Sequence, residues 1–131
     1  MNQPLVIDST VLIDLERGDR DTWLRLRRFV ARKGVPLVPT VALAKAWRHP
    51  RQARLGQALA LCRTIPLDET TAQGAGALCG KAGTSDVVGA AIVATASRNG
   101  GYVWSDDPDI ELLTQHLPRA MGSVIVQIPR R

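Results

Sequence analysis

Residues 5–18 read LVIDSTVLIDLERG: three apolar residues, a carboxylate, two hydroxyls, then an apolar stripe that stops at a glycine. Leu5, Val6 and Ile7 suit a short buried strand that ends at Asp8. Ser9 or Thr10 can then cap a helix carrying Val11, Leu12 and Leu15 on one face, with Gly18 ending it. A strand running directly into a helix is the first half of a βαβ unit, and the rest of the chain repeats that alternation.

Asp21 or Thr22 is placed to cap a second helix, with Trp23, Leu26 and Val30 inward, Arg25, Arg28 and Arg32 outward, and Gly34 closing it. Val35 to Val38 reads as a second strand. Thr40 after Pro39 starts a helix over Val41 to Arg48, which His49-Pro50 interrupts. A further helix follows over Arg51 to Cys62, with Leu55, Leu59 and Cys62 inward. Thr64 to Leu67 suits a brief strand, Asp68 a cap, and Glu69 to Leu78 a helix weakened by glycines. Ser85 to Arg98 is the best-formed helix after that and stops at Asn99-Gly100-Gly101. Tyr102 to Trp104 makes a strand, Pro108 opens a short helix, and Val124 to Ile128 gives a last strand. Strands separated by helices imply parallel pairing through crossovers, so the expected fold is a three-layer α/β/α sandwich around a mainly parallel sheet, with residues 1–131 as one domain.

The composition agrees with a globular chain: 131 residues, 45% apolar, with three Trp, one Tyr and one Phe. No run approaches the roughly 18 apolar residues of a membrane span, and no secretory pattern opens the sequence, so a cytoplasmic protein is expected. Cys62 and Cys79 have no partner of metal-ligand spacing and read as buried free thiols. Lys and Arg number 17 against 12 Asp and Glu, a net charge of +5. That balance suits a polyanionic partner, and arginine-rich genome composition explains it equally well.

The acids fall where such a sheet binds ligands, beyond the carboxyl ends of its strands. Asp8 follows the first strand, Ser105, Asp106 and Asp107 follow the Tyr102 strand, and Asp86 opens the helix before it. Gathered carboxylates repel one another unless a cation neutralises them, which points to a hard divalent ion such as Mg²⁺ or Mn²⁺ and to metal-assisted phosphoryl hydrolysis. Each acid also has a purely structural reading. Asp8 can accept backbone N–H groups at the start of its helix, Asp86 can serve the helix dipole, and Asp106 or Asp107 can cap the helix at Pro108.

VIDSTVLIDLERGD, TSDVVGAAIVATA and SDDPDIELL together resemble the acid-bearing segments of PIN domains, in the order and spacing of VapC-type ribonuclease toxins. VPTVALAKAWRHPRQARL and IPLDETTAQGAGALCGKAGTSDVV extend the likeness to an actinobacterial branch and to nearly the whole chain. The resemblance implies a Mg²⁺- or Mn²⁺-dependent endoribonuclease, usually a homodimer, held inactive by an antitoxin whose tail fills the acidic cleft. Asp8 matches the first acid of the family and Asp106 the last. Lys45 stands where these domains most often carry glutamate, and Gly89 where they usually carry aspartate.

Asp86 precedes Gly89 by three positions and so shares its helical face. The expected catalytic and metal-binding set is therefore Asp8, Asp86 and Asp106, holding one weakly bound ion. Glycine costs a helix about 1 kcal/mol relative to alanine. Close backbone approach of a neighbour, natural loss of a carboxylate and deliberate substitution all account for Gly89. Lys45 either pairs with the acids in place of a metal or swings toward solvent or an RNA phosphate. Arg17, Arg48 and Arg51, with Arg20, Arg25, Arg28 and Arg54, are candidate phosphate contacts, or else a solvated face or antitoxin contacts. His49 and His116 read as surface residues, and Trp23, Trp47 and Trp104 as core or interface anchors. The helices over Val41 to Arg48 and Arg51 to Cys62 are the candidate dimer face.

A metal-dependent, VapC-like ribonuclease is the first functional reading, and a PIN-like binding protein without the chemistry is the second. A receiver-type signalling domain would need an acid ending a middle strand, and Leu67-Asp68 lacks the acidic company such a site requires.

Overall fold

Strand β1, Pro4–Ile7, lies at the centre of the sheet, and three of its four residues are buried. The structure, a computed structural model, describes residues 3–127. Helix α1 (Ser9–Glu16) and helix α2 (Arg20–Ala31) lead to strand β2 (Val35–Pro39). Helices α3 (Thr40–Ala46) and α4 (Ala53–Leu59) lead to strand β3 (Arg63–Ile65). Helices α5 (Glu69–Ala82) and α6 (Val87–Arg98) lead to strand β4 (Tyr102–Trp104), and helix α7 (Pro108–Thr114) with a 3₁₀ turn at Arg119–Met121 leads to strand β5 (Ile125–Gln127). The strand order is β3-β2-β1-β4-β5, and every pairing among these strands is parallel. This is the three-layer α/β/α architecture the alternation predicts.

The core forms where the helices press on β1, β2 and β4. Val6, Ile7, Val38 and Val103 from the sheet meet Leu12, Leu15, Leu26, Leu55, Leu78 and Ile92 from the helices, all buried. Helix α6 is buried continuously from Gly89 to Ala96 because its small Ala and Gly positions let the sheet and α5 close on it from two sides. No single described helix is long and apolar enough to cross a membrane.

Several local expectations shift. Asp8, rather than Ser9 or Thr10, is the N-cap of α1, its carboxylate accepting the Ser9 N–H. Asp19, rather than Asp21 or Thr22, caps α2 by accepting the Thr22 N–H, which starts that helix earlier. The left-handed residue after α2 is Lys33 at φ 67°, and the adjoining Gly34 is needed for another reason: a Cβ there would collide with the Phe29 ring. Helix α3 stops at Ala46, two residues short of Arg48, and α4 spans only Ala53–Leu59. The side chain of Gln52 accounts for the break, accepting the backbone N–H groups of Arg48 and His49 and donating to the Ala46 carbonyl. Helix α5 continues past Leu78 to Ala82 and ends on left-handed Gly83. Ile128, expected to end the last strand, lies outside the described residues.

Candidate acidic site at the strand ends

The carboxyl ends of β1 and β4 adjoin, since Ile7 pairs with Trp104 and the Asp8 N–H donates to the Trp104 carbonyl at 3.0 Å. This register delivers Asp8 and Ser105 to each other. Asp8 is buried, and its carboxylate accepts the Ser9 N–H at 2.7 Å and the Ser105 hydroxyl at 2.6 Å. The Ser9 and Thr10 hydroxyls add longer contacts of 3.3 Å each. A buried carboxylate needs such donors to persist in its charged form.

Ser105, fully buried, also accepts the Asp107 N–H at 3.0 Å and so ties the acidic turn to Asp8. Asp107 takes the capping role at α7 by accepting the Asp109 N–H at 2.9 Å, which decides between the two acids named for that task. Asp106, between Ser105 and Asp107, is half-buried and is spared the capping role. Ser105 is the member of this group to which the sequence assigned no role. Its only signal there was its place between a strand and two acids.

Asp86 is the N-cap of α6 and accepts the Gly89 N–H at 3.0 Å. Gly89 is buried, and a Cβ built on it would overlap the Asp86 carboxylate and lie 3.1 Å from a Leu113 methyl. The close approach at Gly89 is thus made by side chains and not, as expected, by the backbone of a neighbour. The Asp86 carboxylate itself occupies the missing side chain's space.

Lys45 lies in the last turn of α3 with its side chain exposed. The donors suit a hard divalent cation in kind, being carboxylate and hydroxyl oxygens. They do not form a closed cage: among the described residues no three His, Cys, Asp or Glu side chains form a group that could hold a metal ion. An open site made of one or two carboxylates, completed by water and substrate phosphate, is the arrangement Mg²⁺ commonly accepts.

The basic candidates separate. Arg17, Arg48 and Arg51 are all exposed. The Arg48 guanidinium donates to the Trp47 carbonyl at 2.8 Å and reaches the Ala44 carbonyl at 3.4 Å, which caps the end of α3. His49 accepts the Arg51 N–H through Nδ1 at 3.1 Å and shapes the same turn. Arg20, Arg27 and Arg54 line a broad cavity of about 840 Å³ with Trp23. The Trp23 indole donates to the Leu15 carbonyl at 2.8 Å, and Trp104 is fully buried, so both anchor the fold. Trp47 is 39% exposed just after the end of α3, so of the two alternatives the core one does not apply to it. Strand β3 is an edge strand, so Asp68 does not end a middle strand as a receiver-type site would require.

No family model matches the chain, and no curated protein does. Among solved structures the fold is similar to VapBC2 from Rickettsia felis, crystallised bound to a DNA fragment from its promoter. The match has a TM-score of 0.70 at 9% identity and covers 96% of this chain and 98% of that one. At that identity the likeness establishes a shared fold.

Proposed function

We propose that this chain is a metal-dependent endoribonuclease of the VapC type, the toxin of a toxin–antitoxin pair, acting on RNA phosphodiesters at the strand-end acids. The observation that carries this reading is the meeting of Asp8 with the Ser105-Asp106 turn at the ends of adjacent central strands. Asp8, Asp86 and Asp106 are the proposed metal-binding and catalytic acids. A single Mg²⁺ or Mn²⁺ bound there would lower the pKa of a water and offset charge on the phosphate. Asp8, held by Ser9 and Ser105, would present a carboxylate group fixed in position at the centre of the site. Asp106 would orient the attacking water, and Asp86 would take the role left open at Gly89. Arg17, Arg48 and Arg51 are proposed phosphate contacts. The motifs and the shared VapBC2 fold support an antitoxin as partner, and the exposed Trp47 at the end of α3 supports a homodimer through that face.

A second reading, a PIN-like binding protein without chemistry, is favoured by the lack of a three-acid group among the described residues and by glycine at position 89. Cleavage of structured RNAs over Mn²⁺ and Mg²⁺ titrations separates the two. The first reading expects cutting by the native chain and none by Asp8→Ala, with the fold of each checked by circular dichroism. Cutting only after Gly89→Asp selects the second reading for this sequence. No cleavage by any form, with no Mn²⁺ binding by calorimetry, rules out the enzyme.

A further inference from the structure

The charge of this chain is divided along its length. Residues 22–67 carry ten Lys and Arg and no Asp or Glu, whereas residues 68–121 carry seven Asp and Glu and three Lys and Arg. Helix α2 beyond Asp21, strands β2 and β3, and helices α3 and α4 all belong to the first segment. Nine of its ten cations, all but Arg25, are exposed. Helices α2 and α4 face each other across the cavity of about 840 Å³, where Arg27 of the one and Arg54 of the other share the lining. Arg27 rests 5.1 Å from the centroid of the Trp23 ring, a contact that leaves its charge unneutralised. Asp19 and Asp21 line the same cavity at the start of α2 and oppose any anion there, so the basic surface begins beyond them.

An uninterrupted run of one sign selects its occupant. Folded protein surfaces intersperse both signs and would bring cations against this one. An acidic tail avoids that conflict, but binding energy between polypeptides concentrates in buried anchor side chains, and on the outward side of α2 beyond Asp21 only Leu24 and Ala31 are apolar. A nucleic-acid strand carries a negative charge at every phosphate, and its phosphates bind exposed Lys and Arg without such anchors.

We propose that the segment from α2 to β3 is an exosite for the RNA strand flanking the cleavage point, taking its phosphates without reading its sequence. The identity of the polyanion rests on the ribonuclease reading, while the binding itself uses none of the strand-end acids and no metal.

Fluorescence anisotropy of labelled eicosauridylate and tetrauridylate with the intact chain in EDTA tests this without cleavage. The longer strand is expected to bind at least about tenfold more tightly, with an affinity that falls as salt rises. Arg28 and Arg32 are exposed, so R28Q/R32Q should keep its fold by circular dichroism. It is expected to weaken eicosauridylate binding about tenfold and to flatten the logarithmic salt slope by about 1.4, at roughly 0.7 per phosphate contact. K81Q/R119Q removes the same charge from exposed residues of the acidic segment, and is expected to change binding less than about twofold. Equal weakening by the two variants, unchanged binding by R28Q/R32Q, or displacement by a polyglutamate of equal length as readily as by unlabelled eicosauridylate would overturn the proposal. An inactive chain that passes this test refutes the ribonuclease reading alone, and an active one that fails it refutes the exosite alone.

Discussion

Asp86 accepts the Gly89 N–H at 3.0 Å while its second carboxylate oxygen fills the space that a side chain at position 89 would need. The two positions therefore compete for one volume. A new Cβ gains helix propensity, yet it also forces out the cap and presses on buried Leu113.

Gly89→Ala is accordingly expected to destabilise the fold by about 1 kcal/mol, the lost cap and overpacking outweighing the gain in propensity. In an Asp86→Ala background the same substitution should be close to neutral. Urea unfolding of the four proteins of this double-mutant cycle measures the coupling. Additive effects would show that Asp86 does not occupy that space.

Ser105→Ala removes the hydroxyl that joins buried Asp8 to the Asp107 N–H. It is expected to cost about 1–3 kcal/mol, the usual consequence of stranding buried polar groups. Denaturant midpoints report this loss, and a change of only a few tenths would mean that Asp8 finds another donor.

Lys45→Glu should leave stability within about 0.5 kcal/mol of the native chain, as expected for an exposed side chain. If the strand-end acids hold an ion, the added carboxylate should tighten Mn²⁺ binding in calorimetry. A large stability change would instead reveal an ion pair of Lys45.

Asp68 caps α5, and its carboxyl pKa is drawn below the ordinary 3.8, first by the Thr71 N–H and hydroxyl and only lastly by Arg98. A depressed carboxyl pKa stabilises the fold above 3.8, and the gain disappears as pH falls through the lower folded value. Asp68→Asn should therefore lower the melting temperature at pH 7, and the difference from the native chain should shrink as pH falls below 3.8. A difference that persists unchanged into acid would contradict the cap's ionic character.

Burial pushes the Cys62 thiol up to about 12, and its Sγ lies 3.2 Å from the Ala58 carbonyl. At pH 8 almost none of it is thiolate. In a Cys79→Ala background, Cys62 is expected to react with iodoacetamide more than about a hundredfold slower than a free thiol. Reaction at the free rate would place the side chain at the surface.

Much of this molecule could be read along the chain, because the signals are local. Apolar runs at β1, β2 and β4, the cap at Asp68 and Pro108 at the start of α7 each depend on neighbours within a few residues. The alternation of strand and helix then forces parallel pairing, and with it a row of acids after the strands. Helix starts were misjudged by a residue or two where several capping side chains stood in succession, as at Asp19, Asp21 and Thr22.

What only the tertiary structure decided involves partners distant in sequence. Strand order alone brings Ser105 to Asp8, 97 positions earlier. Packing alone lays Arg25 over Trp104 and sets Leu113 beside Gly89. Residue periodicity carries which face a side chain takes, and it carries nothing about which other face that side chain will meet. Capping, charge and spacing could therefore name the acids, while the division of labour between Asp106 and Asp107, and the reason for glycine at position 89, depended on where the folded backbone left room.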